Sequence, residues 1–243
     1  MLRCLTLMLA CLCPGAVLAE TVVPLDIGDT VVRIALPDGY LQASEKAPAL
    51  FATSAAAMPP AVRLVETLVA DADLKRLLGG SDLTEPYLQV QVLRDAEAVR
   101  FSPQEWRDLQ PTMEQQLGAI DLDQATQALQ PGMGERMSAA AGGAIAVRFG
   151  AVGKPMLYSR EGDAIRYVVR VPIGGTVNGQ AKELVLDCAS AVFVLDGKLL
   201  TFNAYLRPQG EADGMTRVRA FLDTAVARAQ ALNGPAPPPA PAN

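Results

Sequence analysis

The sequence predicts an α+β fold, an antiparallel β-sheet flanked by helices, and three observations carry that expectation. First, residues 164–207 read as consecutive strands. Ile165, Tyr167, Val169, Val171 and Ile173 alternate with Arg166, Val168, Arg170 and Pro172, and a long apolar run follows over 183–195. Second, Asp196-Gly197 separates that run from another apolar stretch, 198–206, and Asp-Gly between two such runs is a strong hairpin signal. Third, helical spacing appears on both sides of this block, with Trp106, Leu109, Met113 and Leu117 before it and Val218, Phe221, Leu222, Ala225, Ala229 and Leu232 after it.

Taken in order, residues 31–36 form a short strand closed by Pro37-Asp38-Gly39, a turn in which Pro fixes φ. The Ala-rich stretch 45–58 suits a helix stopped by Pro59-Pro60. Residues 62–70 fit two periods, and their β-branched residues tilt the reading to strand. Residues 71–78 form a short helix capped by Asp71 and stopped by Gly79-Gly80, and a strand follows Pro86 over 87–94. Ser102-Pro103-Gln104-Glu105 has the cap, first-turn Pro and acid of a capping box. Pro111 is expected to kink or split that helix, 103–118, after Leu109. Helical pieces follow over 121–141, broken at Pro131-Gly132, and then strands over 144–149 and 156–159. Gly174 to Gln180 reads as a loop, and residues 183–195 as a central strand covered on both faces. Residues 215–232 form the last helix.

Of the 243 residues, 50% are hydrophobic and 19% charged, enough apolar content for one sizeable core. Residues 1–19 combine Arg3, an apolar run from Cys4 to Cys13, Pro14-Gly15 and Val17-Leu18-Ala19, the layout of a cleaved secretory signal peptide. The competing reading, a lipoprotein acylated at Cys11, shortens the apolar region and places Met8 poorly. The expected organisation is thus a signal at 1–19, a single domain at 20–233, and a disordered Pro/Ala-rich tail at 234–243, in a periplasmic protein. Loss of Arg3 moves the net charge from −5 to −6, which argues against nucleic acid or an anionic membrane surface as partner. No run in the mature chain is long and apolar enough for a transmembrane segment, and Cys188 remains without a disulfide partner.

The chain has no histidine, so Ser-His-Asp and Cys-His catalysis and imidazole metal sites are excluded, and one mature cysteine builds no zinc site. Cys188 shares a strand face with Leu184, Leu186, Ser190, Val192 and Val194, which favours a buried thiol over a reactive one. Asp71, Asp73, Asp82 and Glu85 invite a calcium reading but lack the spacing of a Ca²⁺ loop, so caps and solvated acids explain them better. Asp121 and Asp123 are first-turn helix acids. Arg166 and Arg170 share a strand face, with Arg148 and Arg160 nearby. The row could hold an anion, although an outer, solvated face accounts for it as well. No nucleotide motif is present, and no catalytic, cofactor or metal residue is assigned.

An early strand ending in Leu36-Pro37-Asp38-Gly39-Tyr40, the capped helix at Ser102-Pro103-Gln104-Glu105-Trp106, the hairpin Val194-Leu195-Asp196-Gly197-Lys198-Leu199-Leu200 and a terminal helix together resemble the PsbP-like superfamily, which includes Mog-type Ran-binding proteins. The helical segment 117–143 departs from its smaller members. The resemblance implies an antiparallel sheet between helices and a role in binding other proteins. The expected function is therefore that of a non-catalytic accessory or binding protein whose partner is another envelope protein. The alternatives are a histidine-independent envelope hydrolase and a small anionic-ligand carrier using Arg166 and Arg170.

Overall fold

The computed structural model describes residues 21–78, 82–208 and 214–234. The expected signal peptide, the tail beyond Gly234 and the Gly79-Gly80 stop lie outside them. The chain opens with a ribbon the sequence reading had only half of: β1 (Val22–Ile27) pairs antiparallel with β2 (Thr30–Ala35). Alternate residues Val23, Leu25, Ile27, Val32 and Ile34 are buried, the period of a strand with one wet face. After the Pro37–Gly39 turn come β3 (Tyr40–Gln42), α1 (Ala43–Lys46), α2 (Pro48–Ala57), β4 (Val62–Ala70), α3 (Asp71–Leu78) and β5 (Tyr87–Leu93). A helical segment follows, α4 (Pro103–Ala119), α5 (Leu122–Leu129) and α6 (Met133–Ala141). The chain then returns to sheet as β6 (Ile145–Phe149), β7 (Met156–Ser159), β8 (Ile165–Val177), β9 (Gln180–Leu195) and β10 (Lys198–Leu206), and closes with α7 (Gly214–Asn233).

The fold is α+β as expected, with an antiparallel sheet in the order β3-β4-β5-β10-β9-β8-β6 and β7 also paired to β8. Each described pairing is antiparallel. The sheet has two unlike faces. On the core face, Leu68, Leu88, Val90, Phe202, Ala204, Ala189, Ala191 and Val168 pack beneath the β1–β2 ribbon and Val218, Leu222, Val226 and Ala229 of α7. The Phe193 and Phe202 rings meet edge-on at 4.8 Å, a contact worth about 0.5–1.5 kcal/mol beyond buried area. Asn233 fastens the far end of α7 to β2: its Oδ1 accepts from Arg33 N (2.8 Å) and its Nδ2 donates to Arg33 O (2.7 Å). On the opposite face α4 lays Trp106, Leu109, Met113 and Leu117 over Ile165 and Val192, and α1 with α2 covers Val69.

Local chemistry explains the boundaries. Ser102 Oγ accepts from Glu105 N while Glu105 accepts from Ser102 N (2.7 Å), the reciprocal capping box. Asp121 caps α5 by accepting from Gln124 N (3.0 Å). Asp196 (φ 47°) and Gly197 (φ 80°) make the two-residue turn between β9 and β10.

Three expectations are corrected. The stretch from Gly174 to Gln180 is not a loop: β8 continues through Gly174, Gly175, Thr176 and Val177, and only Asn178 (φ 49°) and Gly179 (φ 78°) turn. The glycines serve close backbone approach instead, since a Cβ on Gly175 would lie 1.9 Å from Ala146 O of β6. Residues 183–195 are covered on both faces only from Asp187 onward, because β10 ends at Leu206 opposite Asp187 and the earlier part of β9 projects past it. Of the kink or split expected at Pro111, the split is absent, since α4 runs from Pro103 to Ala119. Packing of Trp106, Leu109, Met113 and Leu117 along one side, before and after the proline, holds the two halves in one helix.

Candidate functional site, an arginine-lined cleft beside an open strand edge

Beyond Asp187 the β8–β9 hairpin stands out from the sheet as an arm, with β6 along the outer side of β8. The other side of β9, residues 180–186, meets no strand among the described residues. Its backbone donors and acceptors on that side have no strand partner among the described residues. Gln180, Ala181, Lys182 and Glu183 are exposed and Val185 is 37% exposed, so nothing described shields the edge.

A cleft of about 630 Å³ crosses the face of the arm from β6 over β8 to this edge. Arg148, Arg170 and Arg207 line it with Glu183, and Pro172, Ile173, Leu184, Val185 and Pro208 supply apolar walls. The ladder sets the arginines. Arg148 of β6 lies opposite Gly174 of β8, which lies opposite Glu183 of β9, and Arg148 Nη2 reaches Glu183 Oε1 at 3.5 Å across the glycine. A Cβ at Gly174 would sit 3.1 Å from Arg148 Nη2, so the glycine keeps that crossing open. Both charges are exposed, and the pair contributes little to stability. Arg170 lies directly opposite Asp187 and grips it with two bonds, Nε to Oδ1 at 2.7 Å and Nη2 to Oδ2 at 3.2 Å. Asp187 is 0% exposed and Arg170 49%, so one end of the pair is fully desolvated while the other reaches the cleft. Arg207 pairs with Asp82.

The arginine row read from the sequence is thus divided. Arg148 and Arg170 do meet at one cleft, joined by Arg207, which the sequence reading did not single out. Arg166 does not join them, and its face is not an outer, solvated one. That face of β8 is the core face, and Arg166 is buried beneath α7. There Arg166 Nε faces Asp223 Oδ1 at 3.2 Å, at an angle outside hydrogen bonding, and Nη1 donates to Glu161 O (2.5 Å). Arg160 lies elsewhere, bonded to Glu114 at 2.6 Å.

The remaining candidates take structural posts. Cys188 is buried, and burial first, with Asp187 second, pushes its thiol far above the ordinary range. Asp71, Asp73, Asp82 and Glu85 go to separate partners. Asp71 pairs with Lys75 and Asp82 with Arg207, Glu85 Oε2 accepts from Arg217 (3.1 Å), and buried Asp73 accepts from Thr84 N, Thr84 Oγ1 and Glu85 N. Asp123 tethers Val152 N at 2.6 Å. Among the described residues no three His, Cys, Asp or Glu side chains converge to hold a metal, and no helix is long and apolar enough to cross a membrane. Compared with protein-family models, with curated proteins and with solved structures, the chain matches none.

Proposed function

We propose that this chain is a non-catalytic binding protein, an exported accessory of another envelope protein, that captures an extended acidic segment of its partner along the arm. The observation that carries this is the open edge of β9 at residues 180–186, a strand with unpaired backbone on one side and three arginines beside it. A segment adding there gains main-chain hydrogen bonds, and acidic side chains at alternate positions gain the guanidinium groups. Among the described residues the cleft lining holds arginines and apolar groups with one carboxylate, Glu183, and no hydroxyl or thiol, a set that suits holding rather than hydrolysing. The resemblance to PsbP-like proteins implies the same class of role.

The test is a photo-reactive amino acid placed at Val185 in cells, with Met156 of β7, 61% exposed, as the control position. The expected result is a discrete cross-linked product from position 185 that weakens when Arg148 and Arg207 are changed to Glu. Equal labelling from both positions refutes the reading. A small anionic ligand is the second reading, favoured by the volume of the cleft and its three guanidinium groups. Saturable calorimetric binding of a di- or tricarboxylate, with no cross-linked partner, would select it.

A further inference from the structure

The helical face of the sheet carries a feature that neither the cleft nor the core uses. Thr67 of β4 lies opposite Gln89 of β5, Gln89 opposite Asn203 of β10, Asn203 opposite Ser190 of β9, and Ser190 opposite Tyr167 of β8. Five consecutive strands thus place hydrogen-bonding side chains in one straight row across the sheet, where each strand's other residues are mostly apolar. Thr67, Gln89, Asn203 and Ser190 are all under 9% exposed. Burying polar groups in a row costs free energy unless each finds a partner. The row supplies some of these partners itself. Ser190 Oγ donates to Asn203 Oδ1 (2.6 Å), Tyr167 hydrogen-bonds Ser190, and Gln91 Nε2, one pleat along β5, donates to Gln89 Oε1 (3.0 Å).

The supply is incomplete at one end. Thr67 Oγ1 is buried and makes no hydrogen bond among the described residues, although the residue is only 4% exposed. A hydroxyl left in that state carries an uncompensated desolvation cost, which a ligand group or bound water would return. The donors that the internal bonds do not use are the Thr67 hydroxyl and the amide groups of Gln89 and Asn203.

The row is also reachable. Tyr167, Tyr87, Tyr205, Gln91 and Thr201, which border it, each retain partial exposure. On this face α4 packs over Ile165, Val192 and Tyr167, and α1 with α2 over Val69, α2 in turn meeting α6 (Arg136 Nε donates to Ala56 O, 3.0 Å), and the row runs from the α4 side to the α2 side. Tyr87 and Tyr205 stack at 5.0 Å beside it and present flat apolar ring surface next to the amides. Desolvation raises the phenol groups of Tyr87, Tyr167 and Tyr205, which keeps them neutral donors near neutral pH.

We propose that this row is a binding site for a neutral, hydroxyl-rich ligand of the sugar or polyol class. The charges at the two ends of the row are already engaged, Glu66 accepting from Thr67 N (2.7 Å) and Ser44 N (3.2 Å), and Glu114 and Arg160, which share a cavity with Tyr167, pairing with each other (2.6 Å), so a charged ligand would be desolvated without a free counter-ion. Amides and hydroxyls in a line match successive hydroxyls on a ring or chain, and tyrosine rings fit the C–H face of a pyranose. The site is separate from the arginine cleft and does not depend on the reading of it.

The test is saturation-transfer NMR on the full chain with glucose, N-acetylglucosamine, maltose and trehalose, and with glucuronate as the charged control. At least one neutral sugar is expected to saturate below about 1 mM. Thr67→Val, nearly isosteric, and Gln89→Leu are each expected to weaken it by about tenfold or more, with folding checked by circular dichroism. Arg148→Glu is expected to leave it unchanged. No saturation by any of the four sugars, equal binding of glucuronate, or binding unchanged in folded Thr67→Val overturns the proposal. If Gln89→Leu does not fold, Thr67→Val decides alone.

Discussion

Replacing Arg170 by Met tests the pair at the root of the arm. Asp187 is wholly buried and accepts both of its described bonds from Arg170. Removing the guanidinium leaves a desolvated carboxylate, a change that costs about 3–5 kcal/mol when both partners are buried. Arg170 is 49% exposed, so water screens its end and the figure falls to about 2–3 kcal/mol. That corresponds to a fall in Tm of about 4–12 °C for a chain of this size. Asp187→Asn keeps a neutral acceptor opposite the half-exposed Arg170 and should cost only about 1 kcal/mol. The double variant should cost less than the sum of the two, with a coupling of about 1–2 kcal/mol. Urea unfolding followed by circular dichroism, run as a double-mutant cycle, measures all three values. If Arg170→Met costs under about 1 kcal/mol, or the coupling vanishes, Arg170 is not what makes burial of Asp187 tolerable.

Gly175→Ala places a Cβ 1.9 Å from Ala146 O. It should detach β6 from β8 and cost about 2–4 kcal/mol, visible as loss of amide protection at residues 145–149, and an unchanged Tm would contradict the close approach. Pro111→Ala restores an amide donor inside α4 and should raise stability by about 1–2 kcal/mol in thermal melts; a destabilised variant would show that the proline ring itself is needed. Asp29 Oδ1 meets the fully buried Lys198 Nζ at 2.8 Å, and that bond, ahead of those from Thr30 and Arg100, holds the Asp29 carboxyl well below its ordinary value. A depressed acid gives stability that is complete above its unfolded value, near 4, and is lost as pH falls below it. Asp29→Asn should therefore flatten the loss of stability between about pH 4 and 2, and a parallel pH profile would count against the bond.

Local chemistry was the legible part of the fold. Asp196-Gly197, the Ser102–Glu105 capping box and the Asp121 cap all speak through neighbours within a few residues, and each stands in the structure as read. Gly174-Gly175 was misread because glycine signals both turns and close approach, and the turn that exists, Asn178-Gly179, lies four residues further on. The Arg166 row was misread because its faces are assigned by partners far along the chain: Asp223 claims Arg166 and Asp187 claims Arg170. The polar row left a weak trace, since Tyr87, Gln89 and Gln91 alternate with Leu88, Val90 and Val92. That pattern is the same for a solvated face as for a lined recess, and only the register across five strands separates the two.

The strand order has a kinetic side. β8, β9 and β10 are joined by two-residue turns, and β3, β4 and β5 by the helical connections 43–61 and 71–86, so each half of the sheet closes through connections far shorter than the one between the halves. The seam where they join pairs β5 with β10, across the whole of α4 to β9. Closing a connection of about 100 residues rather than about 20 costs about 1.4 kcal/mol more in chain entropy. That step belongs at the top of the folding barrier: Val90→Ala at the seam should slow folding more than it speeds unfolding in stopped-flow experiments, and the reverse would place the seam after the barrier. The two halves of the sheet, one carrying Thr67 and Gln89 and the other Asn203, Ser190 and Tyr167, become a single surface only when that seam shuts.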